Sequence, residues 1–133
     1  MIQLSDIQNL CSSFAGILGG EMSVKHGACI VEKNRHHIPV TIAGRPSGRV
    51  MHSLWSFESL DPSGKALVLG ETALLEEEVF EFTSTLQKYG IVVSGLHNHW
   101  LMDRPPLLYA HYYFIGDPLS FAAGVAEAYQ HLK

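Results

Sequence analysis

A chain of 133 residues with 47% hydrophobic and 17% charged residues has enough material for one folded domain with its own core, and it is not a disordered segment. The formal net charge is only -4 and no Lys/Arg cluster occurs, which argues against a nucleic-acid footprint and a basic membrane-surface helix. No apolar run approaches the roughly 18 residues of a membrane span. The segment from Met1 to Asp6 lacks a positive n-region and a long apolar h-region, so a cytoplasmic location is expected.

Ser5-Asp6-Ile7-Gln8 resembles a capping box and starts the first predicted helix. Leu4, Ile7, Leu10, Cys11 and Phe14 recur at helical spacing, and Gly16 with the pair Gly19-Gly20 ends the helix. A first strand is expected over Glu21 to Glu32, interrupted at His26-Gly27. Lys33-Asn34-Arg35 reads as a polar turn, His37 to Ala43 as the second strand, and Gly44 to Gly48 as another turn. Met51 to Leu60 is strand-like. Asp61-Pro62-Ser63-Gly64 has the residues of a tight turn, and Lys65 to Leu75 forms the next strand, broken at Gly70-Glu71.

Glu76-Glu77-Glu78 opens a second helix, where acidic residues suit the positive end of the macrodipole. Leu75, Val79, Phe82, Leu86 and Tyr89 make one apolar face, and Gly90 stops the helix. Ile91 to His99 and Leu107 to Ile115 are the last two strands. Gly116-Asp117-Pro118 starts the third helix, with Asp as cap and Pro at the first helical position. Phe121, Val125, Ala128 and Leu132 share its stripe, and the small residues beside them imply close packing on a sheet. The pattern predicts an α+β fold over residues 1–133, a single domain with a mainly antiparallel sheet and about three helices packed on it. Cys11 on the helix and Cys29 in a strand do not form a spaced pair. With a cytoplasmic location expected, both read as small buried thiols rather than as a disulfide.

Eight histidines exceed what a chain of this length ordinarily carries. Two of them, His97 and His99, stand two apart in Gly95-Leu96-His97-Asn98-His99-Trp100, and residues two apart on a strand share a face. If Leu107 to Ile115 pairs back antiparallel, Tyr109, His111 and Tyr113 line one face, and His111 comes opposite or diagonal to His97. Three imidazoles converging this way would leave a coordination position open on a divalent metal such as zinc. A register slip of one residue would send His111 to the other side. Glu71, in the Gly-Glu break, and Glu78, at the helix start, are the candidate catalytic carboxylates. Either would serve as a further ligand, as a partner fixing a His tautomer, or as a general base.

The bland readings are specific too. His36-His37 reads as a surface turn, and His26, His52 and His131 carry no signal. Tyr112, Tyr113 and Phe114 read as packing residues. Arg35 suits an anionic ligand or a surface carboxylate equally. No nucleophile elbow, phosphate loop, dinucleotide fingerprint or Cys-x-x-Cys is present.

The second half resembles the LppY/LpqO-like domains, a bacterial family whose function is not established. The resemblance rests on Leu69-Gly70-Glu71, Leu75 to Val79, Tyr89 to Val93, Leu96-His97-Asn98-His99, Arg104-Pro105-Pro106, His111, and Gly116-Asp117 before an Ala-rich helix. Glu71 stands where the family usually has Asp, Gly95 where it has Ala, and Arg104 precedes the prolines instead of following one. The resemblance implies that His97, His99 and His111 belong together but supplies no reaction.

Two functional readings follow. In the first, the chain is a metal-binding domain or small metal-dependent enzyme, with His97, His99 and His111 as ligands. In the second, it is a non-enzymatic domain whose histidines hydrogen-bond a small-molecule ligand or a partner. Neither reading involves nucleic acid or a membrane.

Overall fold

The computed structural model describes residues 4–133. Three helices and nine strands occur among them, in the order α1 (Leu4–Leu18), β1 (Glu21–Lys25), β2 (Ala28–Asn34), β3 (Val40–Ile42), β4 (Arg45–Ser47), β5 (His52–Glu58), β6 (Ala66–Leu75), α2 (Val79–Lys88), β7 (Val92–Asn98), β8 (Asp103–Arg104), β9 (Leu107–Gly116) and α3 (Pro118–Tyr129). A six-stranded antiparallel sheet runs β1-β2-β5-β6-β9-β7, and a small sheet runs β4-β3-β8. The expected α+β fold is what forms.

The main sheet is two-faced because its strands alternate. Val31, Trp55, Phe57, Val68 and Tyr112 point to the face that the helices cover, and all are buried. Cys11, Phe14, Ala15 and Leu18 of α1 meet them at helical spacing, as do Phe82 and Leu86 of α2 and Phe121, Val125 and Ala128 of α3. Phe14 stands edge-on to Phe57 at 5.1 Å and stacks on Phe121 at 6.2 Å. The opposite face carries Leu54, Leu69, Glu71, His111 and Tyr113. It is covered only toward one end, where Val40, Val50 and Met51 from the small-sheet region pack on Ala73, Leu75, Leu107 and Tyr109.

Several local expectations change. The Ser5 cap depends on side chains outside the described residues. The interruption at His26-Gly27 is a full reversal: both residues have positive φ (52° and 79°), and they join β1 to β2 as a hairpin. β2 runs on through Asn34, so the turn falls at His36-His37 and not at Lys33-Asn34-Arg35, and the next strand is only Val40–Ile42. The turn expected over Gly44 to Gly48 starts at Ala43-Gly44, and Arg45–Ser47 is itself a strand.

β6 is not broken at Gly70-Glu71. It is a continuous ten-residue strand paired on both sides. Gly70 serves packing instead: the rings of Tyr112 and Trp55 occupy the space where a side chain at 70 would stand. Glu76–Glu78 form a 3₁₀ turn before α2 rather than its first α-helical turn. Asp117 caps α3 by accepting from the Leu119 N–H, with Pro118 at the first helical position.

Cys11 and Cys29 are joined by a disulfide, which corrects the reading of two free thiols. The helix face and strand face that carry them are packed against each other, with Cα atoms 5.5 Å apart. Sequence spacing does not report that proximity, because it arises only when α1 docks on β2.

Candidate functional site

The histidine-bearing strands β7 and β9 are antiparallel neighbours, with β7 at the sheet edge. The pairing runs Val92↔Tyr113 and Val93↔Tyr112, then resumes at Gly95↔His111, Leu96↔Ala110 and His97↔Tyr109. Ser94 is the extra residue of a β-bulge. Without it the alternation would continue, and His97 would face the helices. The bulge shifts the parity by one and places His97 on the open face with His111. Ser94 Oγ donates to the His111 carbonyl across the bulge (3.3 Å). Gly95, directly opposite His111, has no side chain to separate the two rings.

His97 and His111 therefore lie diagonally and meet tip to tip, with Nε2 atoms 2.8 Å apart and ring centroids 4.9 Å apart. The other ring nitrogens decide the protonation pattern. His97 Nδ1 lies 2.9 Å from the Asn98 carbonyl oxygen, which can only accept, so Nδ1 carries the proton and donates. His111 Nδ1 lies 3.6 Å from Glu71 Oε2, the residue directly across on β6. That distance is electrostatic contact rather than a hydrogen bond. A carboxylate in front of Nδ1 nevertheless disfavours a lone pair there and favours N–H. The two Nε2 atoms thus face each other at hydrogen-bonding distance: either one ring donates an N–H to the other, or both turn a lone pair toward a shared cation.

His99 is placed differently. Its ring stacks on Tyr109 (centroids 4.6 Å) and stands edge-on to Trp100 (4.6 Å), with the His97 ring centre 5.8 Å away. Tyr109 is the anchor of this corner. It donates to the Val50 carbonyl at 2.7 Å and accepts from Trp100 Nε1 at 3.3 Å. Burial holds its phenol above the usual value, so it stays a neutral donor at physiological pH. Asp103 accepts from the Leu107 N–H and closes the loop before β9.

Of the two candidate carboxylates, Glu71 stands beside the imidazoles. Glu78 is buried at the start of α2, and the guanidinium of Arg35 holds both its oxygens. Arg35 is itself buried, and its two Nη groups are taken up by Glu78, the Ala73 carbonyl and the Lys133 carbonyl, while its Nε has no hydrogen-bond partner among the described residues.

The structure adds a residue that the sequence did not single out. His52 on β5 faces Glu71 from the other side, with Nε2 3.8 Å from Oε1. The alternation of β5 assigns His52 to the face opposite Trp55, but only the strand order shows what it faces. His52 also borders a cleft of about 720 Å³ whose lining includes Glu21, Glu32, Asn34 and Arg49. No group of three or more His, Cys, Asp or Glu side chains among the described residues is arranged to hold a metal ion.

A family model described as Domain of Unknown Function (DUF1259) matches residues 12–131, which include every residue of this site. The chain belongs to that family. No curated protein and no solved structure matches it. Membership of the DUF1259 family thus gives the site a family context without assigning it a reaction. No helix among the described residues is long and apolar enough to cross a membrane.

Proposed function

We propose that the His97–His111 pair binds a divalent cation such as zinc. One observation carries the reading: two imidazole Nε2 atoms, each on a ring whose Nδ1 faces an acceptor of its own, converge to 2.8 Å, where a shared cation can take the place of a bridging proton. Each imidazole has an outer partner on Nδ1, the Asn98 carbonyl for His97 and the Glu71 carboxylate for His111. Metal-binding imidazoles are commonly oriented in this way. With Zn–N distances of about 2.0–2.1 Å, two nitrogens on a tetrahedral ion stand about 3.3 Å apart. Small ring rotations supply that opening. His99 is the third ligand in this reading and reaches the ion by leaving its stack on Tyr109. Glu71 orients His111 and is the assisting carboxylate, whereas Glu78 serves the fold.

The test is the metal content of protein purified without an affinity tag, loaded with zinc and dialysed. About one equivalent is expected in the wild type and a large loss in His97→Ala and His111→Ala. Equal, negligible metal in all three would reject the reading.

Among the described residues no third ligand is in place beside the pair, which favours a second reading, in which a proton replaces the metal and the pair hydrogen-bonds a small polar ligand. A ligand-induced thermal shift that persists in chelator would support it. The likeness of the second half to LppY/LpqO-like domains fits DUF1259 membership, and we propose that the two describe one kinship. The Cys11–Cys29 disulfide favours an oxidising compartment over the cytoplasm.

A further inference from the structure

We propose that His52 is a positioning residue of the imidazole site and acts through Glu71. The proposal rests on the cation-binding reading of His97 and His111 and extends it one strand further across the sheet.

The sheet register makes the arrangement. Glu71 on β6 is directly opposite His111 on β9 and directly opposite Leu54 on β5. His52 lies two residues before Leu54, so it shares that face and stands diagonal to Glu71. The two carboxylate oxygens are divided between two imidazoles: Oε2 faces His111 Nδ1 at 3.6 Å, and Oε1 faces His52 Nε2 at 3.8 Å. Both separations exceed a direct hydrogen bond, and both suit an electrostatic contact or a bridging water.

Glu71 keeps 29% of its side-chain surface in solvent, so the strand alone does not immobilise it. A carboxylate attracted from one side only would sample several rotamers. Attraction from both sides narrows that sampling and keeps Oε2 in front of His111. His52 is in turn braced, because its ring stands edge-on to Tyr109 at 5.7 Å and Tyr109 is tied to Val50. The sequence of effects is therefore His52 to Glu71, Glu71 to the His111 tautomer, and the tautomer to the Nε2 lone pair that faces His97.

The experiment is a cobalt(II) titration of the wild type, His52→Leu, His52→Gln, Glu71→Gln and the His52→Leu/Glu71→Gln double variant, read by the ligand-field absorption of the bound ion. Glu71→Gln is expected to weaken binding by about 10–100-fold and His52→Leu by about tenfold. His52→Gln retains an N–H donor and is expected to restore most of the affinity. In the double variant His52→Leu adds nothing further, because its path runs through Glu71. An unchanged affinity in His52→Leu, or two losses that simply add, overturns the proposal. Thermal melts confirm that each variant is folded.

If the wild type binds no cobalt, the cation reading fails but the positioning claim is still decided by imidazole nitrogen NMR. His111 is expected to carry its proton on Nδ1 in the wild type and to shift toward the Nε2–H form in His52→Leu. An unchanged tautomer overturns the claim.

Discussion

Arg35 holds Glu78 with both arms of its guanidinium, Nη1 donating to Oε2 at 2.8 Å and Nη2 to Oε1 at 2.9 Å. The backbone N–H groups of Leu75 and Lys133 donate to the same carboxylate. Burial by itself pushes the Glu78 carboxyl up, but the Arg35 and backbone hydrogen bonds together hold it below the usual value. A folded-state value below the unfolded one means stability that is fully present above the unfolded carboxylate value of about 4.3 and is lost as pH falls through the folded value. Arg35→Met leaves a buried carboxylate without its counter-charge and is expected to cost about 3–5 kcal/mol at pH 7. The gap to wild type should shrink in acid, where Glu78 is protonated. Urea denaturation at both pH values checks this, and a gap that is the same at each would contradict the pairing.

Gly70 is set by two rings. A Cβ there would stand 2.8 Å from Tyr112 Cζ and 2.9 Å from Trp55 Cδ1. Neither ring yields easily, since both are buried and Trp55 Nε1 donates to the Tyr112 hydroxyl at 2.8 Å. Gly70→Ala is therefore expected to destabilise by about 1–3 kcal/mol through overpacking. Chemical denaturation measures it, and a neutral or stabilising substitution would show that the rings have room to move.

The disulfide between Cys11 and Cys29 ties α1 to β2 across a sequence separation of 18. Constraining a loop of this size in the unfolded chain is worth about 3 kcal/mol. The Cys11→Ala/Cys29→Ala variant should lose stability on that order, and the wild type should lose a similar amount in reductant. A thiol assay on denatured, unreduced protein prepared under oxidising conditions should find no free thiol. Stability indifferent to reductant would show that the link contributes nothing.

Much of this fold was legible in the sequence because its signals are local. The periodicity of α2, the Asp117-Pro118 start of α3 and the Asp61 turn each rest on residues a few positions apart. Asp61 accepts from the Ser63 and Lys65 N–H groups, as a turn residue of this type does. Misreadings arose where a residue serves a distant neighbour. Gly70 looked like a strand break because glycine often is one, yet it makes room for Tyr112, 42 positions on. Arg35 suited an anionic ligand or a surface carboxylate equally, and Glu78 stood beside Glu71 as a candidate carboxylate, because nothing local shows that each is the other's partner. His52 looked unremarkable until β5 was seen to lie beside β6.

The same division holds for the site. From the sequence alone came the two-residue spacing of His97 and His99, the strand character of both flanking segments and the antiparallel return that carries His111. These depend on composition and on a period of two, and short stretches display both. Which side of the sheet His97 faces depended on one residue. The bulge at Ser94 reverses the alternation of β7 and brings the imidazoles of His97 and His111 to the same face. A β-bulge is chosen by how two strands fit along their whole length, so only the assembled sheet decided it.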